Sequence, residues 1–190
     1  MQSINFSRMV YWFVLMLVIP PAMANHEASE PTDGTVNSFK RVDPPRQVED
    51  VSFYNSQGAA VRLSDFKGKL VLLNIWATWC PPCIRELPAL DNLESKLGSS
   101  RFVVLPISID EGGKSQAEPF YQRLDIKRLG LYLDPDKALS WSFPVDVLPA
   151  TFILDEDGRV IRFLRGFIDW ESAESERFLK SLMRHQSATN

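Results

Sequence analysis

Two cysteines and two histidines in 190 residues leave little material for a metal centre. A structural zinc site takes about four such ligands, so Cys80 and Cys83 alone would make half of one. His26 and His185 fall in polar terminal stretches and are expected to be solvated. No basic stripe is present, and 21 Lys+Arg against 24 Asp+Glu gives a formal charge of −3, which argues against a nucleic-acid partner. No internal repeat is visible. The N-terminal apolar run, Met9 to Ile19, is shorter than the roughly 20 residues a membrane span needs. The composition is 45% hydrophobic, enough to bury a real core in one domain with extensions.

The N-terminus reads as a targeting segment rather than part of a fold. Arg8 supplies a positive flank, Met9 to Ile19 the apolar stretch, Pro20-Pro21 a break, and Ala22-Met23-Ala24 a small-x-small cleavage pattern. Residues 1–24 are therefore expected to be a signal peptide; the alternative is an uncleaved anchor formed by residues 9–22. Either way the domain is exported to a periplasmic or other extracytoplasmic space, where disulfides persist. Residues 25–46 carry Pro31, Gly34, Pro44 and Pro45 without an apolar period and read as a flexible tether. Residues 47–186 form the expected domain, and 187–190 a tail.

Within the domain, Val51–Tyr54 and Ala60–Leu63 flank a turn-like Asn-Ser-Gln-Gly and predict a hairpin. Leu70–Trp76 is a continuous apolar run, the pattern of a strand buried on both faces. From Pro82 the period becomes helical, with Leu87, Leu90, Leu93 and Leu97 inward, Glu86, Asp91 and Glu94 facing away, and Gly98 as the stop. Phe102–Ile109 is the next buried strand, its end made irregular or edge-like by Pro106. A helix over Gln116–Leu124, a short strand at Leu131–Leu133 and a short helix through Trp141 follow. Thr151–Leu154 and Val160–Leu164 form a second hairpin around Asp157-Gly158, and Glu171–His185 a terminal amphipathic helix. This order gives an α/β fold with one mixed sheet and helices on both faces.

The chemistry concentrates in Trp79-Cys80-Pro81-Pro82-Cys83, between the buried strand and the helix. Two thiols three residues apart can close a disulfide, and a C-x-x-C at a strand-to-helix junction has the form of a redox-active dithiol. A purely structural bridge over so short a loop would remove little chain entropy and stabilise weakly.

With the elements placed, the chain resembles the exported TlpA/ResA/CcmG-like thiol:disulfide oxidoreductases. The resemblance rests on Asn74 to Cys83, on Glu86-Leu87-Pro88 and on Leu148-Pro149-Ala150-Thr151-Phe152-Ile153, and extends from about Gln47 to the terminal helix. It implies a thioredoxin-like fold with an N-terminal hairpin and an insertion after the Phe102–Ile109 strand. It also implies a dithiol enzyme with no cofactor beyond a Cys80–Cys83 disulfide, acting as a monomer.

 The expected substrates are exported proteins with accessible disulfides, apocytochrome c among them, and the expected source of electrons is a membrane donor.

The resemblance also assigns roles. Cys80, at the start of the helix where unpaired N–H groups favour negative charge, is the attacking thiol, and its pKa is expected to be depressed. Cys83, one turn further in, is the resolving thiol. Pro81 and Pro82 stiffen the loop between them. Trp79 either shields Cys80 or is a plain core aromatic. Leu148-Pro149 matches the family's cis-proline, which sets the backbone of Leu148 across from the disulfide to pair with a client, and Gly166 is expected to face the same groove. Asn74 stands where thioredoxin itself has a buried aspartate, so another group must carry the proton of Cys83. The resemblance places that group at the start of the insertion, as Glu111 or Asp110, in a cleft that would raise its pKa.

Three other readings remain. A DsbA-like thiol oxidase runs the same exchange in reverse, but usually has a histidine within its C-x-x-C and a larger helical insertion. A peroxiredoxin places Thr or Ser three residues before its cysteine, a pattern that Trp76-Ala77-Thr78-Trp79 does not match. A copper chaperone wants Cys-x-x-x-Cys and a core histidine, and this chain has neither.

Overall fold

A computed structural model describes residues 33–187. The export segment read in residues 1–24, residues 25–32 of the expected tether and residues 188–190 of the expected tail lie outside the described residues. No helix among the described residues is long and apolar enough to cross a membrane.

Strand β4 (Leu70–Trp76) is buried at every position, as its apolar run predicts, Asn74 included. It pairs in parallel with β5 (Phe102–Ser108) and antiparallel with β7 (Ala150–Leu154). Because side chains alternate across a strand, β4 feeds two separate cores. Leu70, Leu72 and Trp76 pack with α1 (Pro81–Leu97), with Tyr121 of α2 (Lys114–Arg123) and with Leu179 of α4 (Ala173–Ser187). Val71, Leu73 and Ile75 pack on the opposite face with Phe53 of β2 (Ser52–Asn55) and with Leu139, which opens α3 (Leu139–Ser142). Asn74 therefore shares a face with Leu72 and Trp76 and points towards α1.

The remaining strands are β1 (Lys40–Arg46), β3 (Ala60–Arg62), β6 (Tyr132–Leu133) and β8 (Val160–Arg165). They complete one eight-stranded mixed sheet in the order β1-β8-β7-β4-β5-β6-β2-β3. The two expected hairpins are β2–β3 and β7–β8. In the second, Asp155 accepts from the N–H groups of Asp157 and Arg159, and Gly158 takes the positive φ (81°) that the turn needs.

Two expectations are corrected. The stretch 33–46, read as flexible tether, holds a 3-10 turn (Val36–Ser38) and the edge strand β1, which pairs with β8. The prolines that suggested a tether, Pro44 and Pro45, sit on the outermost strand, where a missing donor costs little. Val36 and Phe39 anchor the segment in the core, and Phe39 stacks on Phe178 of α4.

Pro106, expected at an irregular or edge position, lies inside an interior strand. Ile109 N–H donates to Trp76 on the β4 side, whereas Ser108 C=O accepts from Asp134 on the β6 side. Alternation then turns Val104 and Pro106 towards β6, which begins only opposite Ile107. Pro106 has no donor to lose there. Val104 does, and its N–H finds Glu94 Oε2 of α1 at 2.7 Å. A second carboxylate of α1 fastens the insertion: Asp91 Oδ1 accepts from the consecutive N–H groups of Lys127, Arg128 and Leu129.

The Glu94 contact makes a stability prediction. Glu94→Ala leaves a half-buried backbone donor without an acceptor and should cost about 1–3 kcal/mol, whereas Glu94→Gln keeps an acceptor and should cost clearly less. Urea unfolding of the two variants at unchanged m-value measures the difference; equal losses would refute the role given to the Glu94 oxygen.

Candidate active site

The loop between β4 and α1 is held from below by Asp110. This buried carboxylate accepts from the Thr78 N–H (2.9 Å), the Thr78 hydroxyl (2.8 Å) and the Ser108 hydroxyl (2.7 Å). The chain then turns Trp79 outward, 66% exposed, and starts α1 at Cys80. Trp79 is thus a wall of the surface and not a core aromatic.

Cys80 is the N-cap of α1, and its Sγ accepts the Cys83 N–H at 3.3 Å. Pro81 and Pro82 fill the first helical turn, where absent donors have no intrahelical partner to miss. Cys80 and Cys83 are joined as a disulfide, both buried. Beside it lies a groove of about 350 Å³, walled by Trp79, Pro81, Pro82, Ile109, Val145 and Leu148, with Cys80 and Asp146 also on its lining. Leu148–Pro149 is a cis peptide. Gly166 does not line the groove. Its N–H donates to Pro149 C=O at 2.7 Å with φ at 113°, so it continues the β7–β8 ladder behind the proline.

The two acids expected at the start of the insertion sit in different surroundings. Glu111 is exposed and paired with Lys137 Nζ at 2.8 Å, and that ammonium holds its carboxyl below the usual glutamate range. It lacks the cleft burial that would raise it. Asp110 is buried, but its oxygens are taken up in holding the Thr78 loop.

The buried acid beneath the disulfide is Glu86, which the apolar-stripe reading had turned away from the core. It is 1% exposed, one turn past Cys83. Its Oε1 accepts from Ile168 N–H at 2.6 Å and its Oε2 from Asn74 Nδ2 at 3.2 Å; Asn74 Nδ2 also meets Thr151 Oγ1 at 3.1 Å. The Trp170 indole N–H acts on the same carboxyl but does not reach hydrogen-bond geometry. Burial outweighs these donors and pushes the Glu86 carboxyl up to about 8. A signal was present in the sequence: Cys83, Glu86, Leu90, Leu93 and Leu97 form an unbroken three–four stripe, and Asn74 offers a neutral partner on the strand that faces it.

A family model described as the AhpC/TSA family matches residues 44–163. The chain belongs to the AhpC/TSA family. This thioredoxin-fold protein is a thiol:disulfide oxidoreductase, the activity for which its curated relatives are named. The thiol-disulfide oxidoreductase ResA of Geobacillus kaustophilus is 32% identical over 126 residues, covering 66% of this chain and 70% of the relative. The pneumococcal exposed lipoprotein thioredoxin (Etrx1) from Streptococcus pneumoniae superposes with a TM-score of 0.59 at 27% identity, covering 72% of this chain and 99% of that one. A DsbF homologue from Corynebacterium diphtheriae shares the fold, with a TM-score of 0.61 at 24% identity over 81% of this chain and 96% of its own.

The raised Glu86 makes the stability of this oxidoreductase depend on pH. A folded pKa above the unfolded value means that the native state holds the extra proton between the two. The contribution is complete below about 4.5 and is lost as pH rises through about 8. For the disulfide form, the stability difference between wild type and Glu86→Gln should therefore shift against the wild type across that window and level off above it. Chemical denaturation at a series of pH values measures this; a difference that does not move with pH would contradict the assignment.

Proposed function

We propose that this protein is an exported reductase of disulfides in other exported proteins, with apocytochrome c during cytochrome c maturation first among its clients. The observation that carries the reading is the Cys80–Cys83 disulfide, set at the N-terminus of α1 and opening on an apolar groove. Export is supported by the signal pattern of residues 1–24 and by the likeness to a protein named as an exposed lipoprotein. A membrane protein supplies the electrons, since an oxidising compartment does not.

In the reduced enzyme the helix N-terminus and the Cys83 N–H favour the Cys80 thiolate. This thiolate attacks one sulfur of a client disulfide; the S–S bond breaks and the other client sulfur leaves as thiolate. Cys83 then gives its proton to the Glu86 carboxylate and attacks Cys80 Sγ. The client departs with both its sulfurs reduced, and the Cys80–Cys83 disulfide forms. When the donor reopens this bond, Cys83 leaves as thiolate and takes back the proton that burial holds on Glu86 while the disulfide is closed, which leaves Glu86 as the carboxylate for the next turnover. Trp79, Pro81, Pro82 and Leu148 bound the groove that receives the client, and Pro149 and Gly166 support Leu148 from behind.

The purified protein should reduce insulin in the presence of dithiothreitol, and Cys80→Ser should abolish this. Its reduction potential should lie well below about −180 mV; a value near about −120 mV would make it an oxidant instead. Glu86→Gln should slow the Cys83 step by about a hundredfold or more and leave Cys80 attack in place, while Glu111→Gln should change neither. Cys83→Ser isolated from the exported fraction should carry clients as mixed disulfides, separable on non-reducing gels. Recovery of monomer alone, from a strain whose wild-type protein is redox-active, would defeat the client-reductase reading.

A further inference from the structure

The groove beside Cys80 is apolar on every side but one. Trp79, Pro81, Ile109, Val145 and Leu148 present carbon surface, and the one charged residue on the lining is Asp146. Its side chain is 61% exposed and is tied through Oδ1 to Arg165 Nε at 3.0 Å, an arginine that is itself only 27% exposed. Arg165 leans over the Phe163 ring, 5.6 Å from its centroid, and so holds the carboxylate from the β8 side.

We infer that Asp146 selects clients by charge, favouring an extended segment with a basic side chain close to the cysteine that Cys80 attacks. This rests on the groove being the client site, as proposed above, but not on the direction of exchange. A client lying along Leu148 and Asp146 in extended form places side chains of the same face two residues apart, about 6.6–6.8 Å. A lysine or arginine at that position lays its stem on the apolar wall and brings its charge to Asp146. An acidic residue at the same position meets a like charge. Asp146 does not touch the reacting sulfurs; it acts on which client stays long enough to react.

The size of the effect follows from exposure. Half-exposed ion pairs of this kind are weak, so the selection should amount to about two- to fivefold in rate. It should also respond to salt, because the screening length shrinks from about 30 Å at 0.01 M to about 3 Å at 1 M ionic strength.

The test uses the reduced Cys83→Ser form and three disulfide-linked model peptides. These are identical except for Lys, Ser or Glu at the second position on each side of the cysteine. The readout is the rate at which Cys80 forms the mixed disulfide and releases the peptide thiolate. Rates with dithiothreitol as the nucleophile correct for the intrinsic reactivity of each peptide. The Cys80 thiolate also attracts cations, so the decisive comparison is with Asp146. The Lys-over-Glu preference should fall about two- to fivefold in Asp146→Asn, fall likewise at 1 M salt, and be kept by Asp146→Glu. An unchanged preference in a folded Asp146→Asn protein overturns the inference. The reductase reading is judged separately, from the reduction potential and the insulin assay, and stands or falls independently of the peptide ranking.

Discussion

Strand β4 has no solvent face, and the arrangement of the site follows from that constraint. A strand buried on both sides must send alternate residues into two cores, and its end must deliver the chain to a helix that covers one of them. The C-terminal end of β4 is where the backbone escapes from the sheet. Asp110, from the loop after the neighbouring parallel strand, seizes it there through Thr78. These contacts position the loop that delivers Cys80 to the helix N-terminus, where its sulfur caps the first turn. One polar residue in the strand, Asn74, cannot be left unpaired in such a place. It faces α1 and is satisfied by Glu86 and Thr151, which links the helix beneath the disulfide to the strand that follows Pro149.

The fold was legible because its signals are local and redundant. A seven-residue apolar run, a helical stripe closed by Gly98 and an Asp-Gly hairpin each point to one element, and their order admits few topologies. What misled the reading was also local. Pro44, Pro45 and Pro106 were weighed by residue type, whereas the cost of a proline in a sheet depends on which neighbour its missing donor would have faced. At an outer edge, or on the stretch of β5 below the start of β6, that neighbour is absent. Sheet order decides this, and sheet order is not written in a single strand.

The site divides in the same way. Cys80, Cys83 and the Leu148-Pro149 pair were visible as motifs. The resemblance pointed for the proton carrier to Glu111 or Asp110, at the start of the insertion. Burial sorts the acids differently: Glu111 reaches water and Lys137, Asp110 is consumed in a loop clamp, and Glu86 is enclosed between α1 and the sheet. Charged residues at helical positions are usually solvated, and that habit hid Glu86 in a stripe that its spacing from Cys83 already marked.

Two carboxyl groups near one pair of sulfurs thus have separate capacities, set by solvation alone. Glu86 is shut away, so its charged form is penalised and its proton is held up to about pH 8, close enough to a thiol's own range for the two groups to exchange a proton. Asp146 is open to water, where salt screens its pairing with Arg165. A carboxylate at the rim of an apolar groove acts on whatever is about to enter it. Exchanging their surroundings would exchange their work: an Asp146 sealed from water would become a proton carrier, and a Glu86 opened to water would be one more surface acid beside a disulfide with nowhere to send its proton.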